Sequence, residues 1–430
     1  MAITLNRQIL LWGFLILQLN VSLAWSEEPQ PVADLNALVE AALANNPEIE
    51  ASEAQWQMFV QKARQAGTFE DPMLMIGINN ALIRDPVAFD RDSMTSRSIG
   101  LSQMVPFFGK RELARQGADL EALSARARYE ERRLELAAMV KEFYARLFFI
   151  DQALDIVGRS LVVMDDMLRF TESRYGVGAG MQQDVLRAQV ERSRMLDMQI
   201  GLQQQKRSLA AAMNRLLARP ADTPIGIIPD LETPPVTHSA EELESLAAKN
   251  RPLLAGLLSL VEKGNVDQEL ARKEFYPDFT FSLEYMQREP AMGEAGYDMY
   301  NASVSFNLPV QRQRRHAMVA EAKASARMAQ AEVDELRNAI VSGIADLLAK
   351  LERSAQLIEL YRTGVIPQSA RSFEAAQIAY GNNQVDFQMM LESLLSLFND
   401  EREYYDALAD YRMNLARLEA LVGSELMDKP

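Results

Sequence analysis

Two aspartates and a store of thioethers are the residues in this 430-residue chain best placed to do chemistry. Asp184 follows Tyr175-Gly176-Val177-Gly178-Ala179-Gly180, and Asp386 follows Tyr380-Gly381-Asn382-Asn383. A carboxylate in either place can cap or complement the start of a following helix, or attract cations if it is repeated around an axis. The chain also carries 22 Met, whose soft sulfurs favour Cu(I) over Zn(II). Met73, Met75, Met389 and Met390 are the ones to weigh, against the commoner use of Met as packing filler.

Other chemistries have little to work with. With no Cys and only His238 and His316, thiolate metal sites, disulfides, Cys nucleophiles and His-rich metal centres are excluded. The patterns GxxxxGK[ST], HExxH and GxSxG do not occur, and paired acids such as Glu130-Glu131 and Asp165-Asp166 fit solvated helix faces. No enzyme activity, cofactor or resident metal is expected. The 60 acids outnumber the 45 bases, for a net charge of −15, which argues against nucleic acid as a partner.

Residues 1–26 combine Arg7, the apolar run Ile9 to Leu17, and Ser22 and Ala24 around Leu23. They read as a signal peptide cleaved near Ala24, the run being short for a membrane anchor. No Cys follows, so a lipid anchor is not expected. No later stretch suits a transmembrane helix, so entry into a membrane would have to be by strands.

The elements that position the two aspartates repeat. At an offset of about 205 residues, Asn45-Asn46-Pro47 matches Asn250-Arg251-Pro252, Asp71-Pro72 answers Tyr276-Pro277, Arg84-Asp85-Pro86 matches Arg288-Glu289-Pro290 one residue out, and Tyr175-Gly176 matches Tyr380-Gly381. Such recurrence in order indicates a duplication, with repeats at 27–220 and 240–423 and a tail at 424–430. Between them, residues 221–239 form an extended linker rich in Pro.

Each repeat opens with one helical stretch, from Asp34 to about Gln65 and from Ser239 to about Lys273. Period-2 alternation follows. Leu74, Ile76 and Ile78 alternate with Met75, Gly77 and Asn79; Ile99, Leu101 and Val105 oppose Ser98, Gly100 and Ser102. In the second repeat Phe279, Phe281, Leu283 and Tyr285 alternate with Thr280, Ser282 and Glu284, and Val304, Phe306 and Leu308 with Ser303, Ser305 and Asn307. These read as hairpins of about nine residues a side, long enough for tilted strands to cross a bilayer. Loops are expected at Ile83 to Thr95 and Gln287 to Met299.

Long helices come next, Lys110 to Arg174 and Gln313 to Ala379, each about 100 Å at 1.5 Å per residue. Leu113, Leu120, Ala127 and Leu134 suggest a heptad seam, and Pro367 predicts a kink. Helices from Gln182 to about Leu217 and from Asp386 to about Leu421 return from the Gly-bearing segments, which read as helical hairpin tips. Two shorter helices end to end match one long helix beside them, with strands at one end of the rod and tips at the other.

Four strands cannot close a barrel, and a bilayer does not tolerate an open sheet edge. Association is required, and three copies supply twelve strands. With Ser102-Gln103-Met104-Val105-Pro106-Phe107-Phe108-Gly109-Lys110-Arg111, Arg174-Tyr175-x-x-Gly178 and Asp184-Val185-Leu186-x-Ala188-Gln189, the mature chain resembles the TolC-type outer-membrane efflux proteins. Asp71-Pro72-Met73-Leu74 with Gln103-Met104 and Gly109-Lys110-Arg111 looks most like their heavy-metal branch.

The resemblance implies a mainly α fold, a homotrimeric conduit with a 12-stranded β-barrel in the outer-membrane lipid of a Gram-negative bacterium and a long helical extension into the periplasm. It implies a periplasmic adaptor and an inner-membrane resistance-nodulation-division pump as partners. Arg174, Tyr175, Gly176, Gly178, Asp184, Tyr380, Gly381 and Asp386 would form the tip gate, with Arg174 pairing Asp184 when closed. Thr280, Ser282, Glu284, Ser303, Ser305 and Asn307 would line the barrel lumen. The second tip departs from the pattern, with Asn383 at the place of Gly178, Met389 at that of Asp184 and Leu394 at that of Gln189. A drug or type I secretion channel of the same family, or a periplasmic coiled-coil adaptor, are the alternatives.

Overall fold

A computed structural model of the chain describes residues 32–426. The expected signal peptide, residues 1–26, and the end of the C-terminal tail, residues 427–430, lie outside the described residues.

The first helical stretch of each repeat is two helices rather than one. The first repeat has α1 (Leu35–Asn45) and α2 (Pro47–Ala66); the second has α5 (Ala240–Asn250) and α6 (Pro252–Lys273). A proline without an N–H drives the residue before it out of the helical region, and Asn46 and Arg251 are extended, with ψ of 123° and 114°. The landmark that reveals the duplication is thus itself the helix break. Asn46 caps α2 through Oδ1, which accepts from Glu48 N at 2.8 Å, and donates to Leu216 O at 2.9 Å. Arg251 instead meets buried Glu131 of the first repeat at 3.0 Å, tying the two copies together.

Helix α3 (Lys110–Gly176) runs for 67 residues without a break and packs against α2 and α4 (Gln182–Leu216). The second copy is interrupted: α7 (Arg312–Leu360) passes through a π-helical turn, Tyr361–Val365, into α8 (Ile366–Gly381). The expected kink at Pro367 takes this form because Pro367 cannot donate to Thr363 O and its ring crowds that carbonyl. Widening the preceding turn, with Ile366 N–H on Tyr361 O, makes room. Helix α9 (Phe387–Val422) then packs back on α7, α8 and α3.

The heptad seam is displaced. Of its four residues only Ala127 is buried; Leu113, Leu120 and Leu134 are partly buried, whereas the row Gly117, Ser124, Glu131, Ala138 and Ala145 is buried throughout. Small side chains lie deepest because the backbones approach closely: a Cβ at Gly256 would stand 2.7 Å from Ala127 Cβ, and one at Gly264 2.7 Å from Ala326 Cβ. The main core, around Leu136, Phe148, Met213, Leu243, Ile344 and Leu418, is closed by the linker, whose Ile227 O accepts from Ala33 N at 2.9 Å. No helix among the described residues is long and apolar enough to cross a membrane.

One antiparallel sheet joins the repeats in the order β1 (Met73–Asn79), β2 (Ser96–Val105), β3 (Phe279–Arg288), β4 (Met299–Phe306). Gln287, Arg288 and Met299, expected in the loop, belong to the strands. Where β2 meets α3, the run Pro106 to Arg111 is a joint. Gly109 takes φ +86°, Phe107 stacks on Tyr276 at 4.5 Å, and buried Lys110 reaches Asp278 at 2.9 Å and Glu274 at 3.2 Å. Arg111 donates to Gly67 O and lies over the Phe69 ring at 3.5 Å. These residue types fix the sheet to the helices.

Candidate functional site

The strand register assigns every side chain to a face. Leu74, Ile76, Ile99, Leu101, Leu283, Tyr285, Tyr300 and Val304 share one face, and it is exposed: Ile76 and Tyr300 are both 79% accessible. The expected alternation therefore holds with the apolar side outward. On the other face Thr280 opposes Ser305, Ser282 opposes Ser303 with their Oγ atoms 2.7 Å apart, and Glu284 sits between Gly100 and Asn301. Ser96, Ser98 and Ser102 are buried on that face. Asn307 lies past the end of β4, where its Oδ1 accepts from Asp278 N at 2.7 Å and closes the hairpin.

Each tip ends its helix with the same backbone hydrogen bonds. Ala179 N donates to Arg174 O and Gly178 N to Tyr175 O; 205 residues on, Gln384 N donates to Ala379 O and Asn383 N to Tyr380 O. This is the helix-ending motif that needs one left-handed residue. Gly178 supplies it at φ +74° and Asn383 at φ +59°, since Asn is among the few other residues that tolerate that region. The substitution read as a departure preserves the turn. Gly176 and Gly381 are the last residues of α3 and α8.

The aspartates differ. Asp386 is the N-cap of α9, its Oδ1 accepting from Met389 N at 2.9 Å. Asp184 lies in the first turn of α4 but makes no capping bond; the N-cap there is Met181. Acid and methionine have exchanged places between the repeats, Met181 and Asp184 in one against Asp386 and Met389 in the other. Each arrangement puts one carboxylate at the positive end of its helix.

Arg174 does not pair with Asp184. It reaches across to the second tip, where Nη1 donates to Tyr380 O at 2.9 Å and Nη2 contacts Asn383 Oδ1, while Nη2 also holds Ala179 O at 2.9 Å. Its guanidinium lies 4.9 Å from the centre of the Tyr380 ring. Tyr380 is buried between Phe170 and Phe387. Burial first, and then the Asp184 carboxylate, push its phenol up, against the opposing pull of Arg174, so it stays protonated. Its counterpart Tyr175 is half exposed. Arg187 of α4 adds a second link between the tips, to Gln388, which the sequence reading missed. Nothing in the spacing signals it.

Methionine divides similarly. Met390 is core and Met389 is exposed. Met73 and Met75 stand on the polar sheet face.

The model of the family described as outer membrane efflux protein matches the chain twice, at residues 38–219 and 243–424. The chain belongs to this family, whose members are passive channels rather than enzymes. Solved structures share the fold. VceC, an outer membrane protein of Vibrio cholerae, superposes with a TM-score of 0.76 at 19% identity, covering 91% of this chain and 97% of its own. CusC, studied for folding and transmembrane channel formation, gives 0.77 at 15% over 91% and 92%. The open MtrE outer membrane channel of Neisseria gonorrhoeae gives 0.75 at 17% over 91% and 89%. Comparison with curated proteins gives no match.

Proposed function

We propose that three copies of this chain form the outer-membrane channel of a tripartite efflux system, taking heavy-metal ions from a resistance-nodulation-division pump through a periplasmic adaptor to the exterior. The observation that carries this reading is the sheet, which exposes one apolar face and has no partner at the far edges of β1 and β4 among the described residues. In water such a surface invites aggregation. In a bilayer the same face suits lipid, and closure edge to edge with two further copies satisfies the backbone. Thr280, Ser282, Glu284, Ser303 and Ser305 then face the lumen, with Asn307 at its lower rim.

The two family-model matches support repeats at 27–220 and 240–423 around the 221–239 linker. The tips are the gate, held shut within each chain by Arg174 on Tyr380 O and Asn383. Asp184 and Asp386, repeated around the axis, give the tip its cation preference.

The heavy-metal cargo rests on the Asp71-Pro72-Met73-Leu74 and Gly109-Lys110-Arg111 runs. Identity to CusC, 15%, does not exceed that to VceC or MtrE. A deletion strain is therefore to be compared with its parent on copper, silver, cobalt, zinc, cadmium and lipophilic drugs. Sensitisation to metals is the expected result; sensitisation to drugs alone would overturn the metal assignment and leave a drug channel of the same family.

A further inference from the structure

Methionine occupies one face of the sheet and is missing from the other. The polar face carries Met73 and Met75 on β1, Met104 on β2, Met286 on β3 and Met299 on β4. Every other residue on it is Ser, Thr, Gly, Asn, Glu or Arg, so each large apolar side chain there is a thioether. The opposite face draws on Leu, Ile, Val, Phe, Tyr and Ala, with Arg97, Gln103 and Gln287 among them, and has no Met at all. Filling volume does not account for this, because β-branched and aromatic residues suit strands better. Three of the five are not packing residues, Met73, Met75 and Met299 being 63%, 45% and 48% accessible, while Met104 and Met286 are partly buried.

The register gathers them into two groups. Met286 and Met299 are direct partners on β3 and β4, where side chains on one face start about 5 Å apart. At the opposite end of the sheet Met73 faces Ser102, which puts Met104 diagonal to it, about 7–8 Å away and within reach of long side chains. Met75 follows on the same face, and its Cε lies over Gly100, 3.4 Å from where a Cβ would stand.

We propose that these two methionine groups are binding stations for soft monovalent cations, Cu(I) or Ag(I), along the channel wall. Uncharged thioethers discriminate for such ions and against Zn(II), and two or three weak ligands hold an ion loosely enough for it to move on. The outer station is the weaker one, since the Arg288 guanidinium stands 3.1 Å from Met299 Sδ and repels a neighbouring cation. The place of the stations in transport rests on the reading of this face as the lumen; their binding does not, because each lies within one chain.

The test is equilibrium dialysis of the purified full-length protein in detergent against silver(I), with zinc(II) as the hard-ion control and bound metal measured by mass spectrometry. The variant M73L/M75L/M104L/M286L/M299L keeps side-chain size and removes sulfur, while M328L and M389L remove exposed helical thioethers. Wild type, M328L and M389L are expected to bind silver at least tenfold more tightly than the five-Leu variant, with zinc unchanged. Equal silver binding by the five-Leu variant overturns the proposal. Should that variant lose its circular dichroism spectrum, M73L/M75L and M286L/M299L make the same comparison, each losing one station. Conductance in planar bilayers reads the conduit separately. Pores without methionine-dependent silver binding would sink the stations alone, and silver binding without pores would sink the conduit alone.

Discussion

Three side chains carry the consequences at the scale of the residue. Arg174 spends its donors on the other tip rather than on its own Asp184, so Arg174→Ala removes the bonds to Tyr380 O and Asn383 while leaving the acids untouched. The expected outcome is a severalfold rise in closed-state conductance in planar bilayers; unchanged conductance would remove Arg174 from the gate. Lys110 is buried between Asp278 and Glu274, and deleting one partner of a buried pair strands the others. Lys110→Ala should lower stability by about 3 kcal/mol, read from denaturant unfolding in detergent. Asp410 is held up by burial first and by the Asp406 carboxylate second, against Arg146, Arg353 and Arg417. A raised carboxyl pKa means that the folded chain holds the proton more tightly than the unfolded one. Asp410 therefore costs stability at neutral pH, and the cost fades as pH falls through its folded pKa. Asp410→Asn should melt higher than wild type at pH 7, with the gap closing below about pH 4; a gap independent of pH would assign the effect to packing.

At the scale of the element, the tips show how far a sequence pattern reaches. Asn383 provides both a left-handed turn and an acceptor for Arg174, and two substitutions separate these roles. Asn383→Gly keeps the turn and loses the acceptor, so it should resemble Arg174→Ala in conductance at near-wild-type stability. Asn383→Ala adds the left-handed penalty of roughly 1–2 kcal/mol, visible as a lower melting temperature. The order of elements, the alternation of Thr280 to Tyr285 and the tip turns were legible because period-2 and helical patterns and Gly positions are local signals. The breaks at Pro47 and Pro252 were not read, because the run of helix formers on either side masks them. Partnerships such as Arg174 with Tyr380 and Arg187 with Gln388 span about 200 residues, and no local periodicity encodes them. Likewise the heptad caught the buried stripe of α3 only at Ala127, where Gly256 lets the backbones close on Ala, while its leucines stay partly exposed.

For the whole molecule, the apolar face and the two edges that have no partner among the described residues belong together. A chain that closes a barrel only with copies of itself should run in detergent at about three times its 48.3 kDa mass, and a monomer there would remove the conduit. Closure has a further consequence, for cells that make two versions of the chain. The outer edge of β1 and that of β4 each wait for a neighbour, so every subunit is answerable for two seams, and one faulty edge leaves the ring open however sound the other two members are. A proline at the middle of β4, at Ser303 for instance, would thus interfere dominantly: with equal expression and random mixing, only about one trimer in eight would contain no damaged subunit.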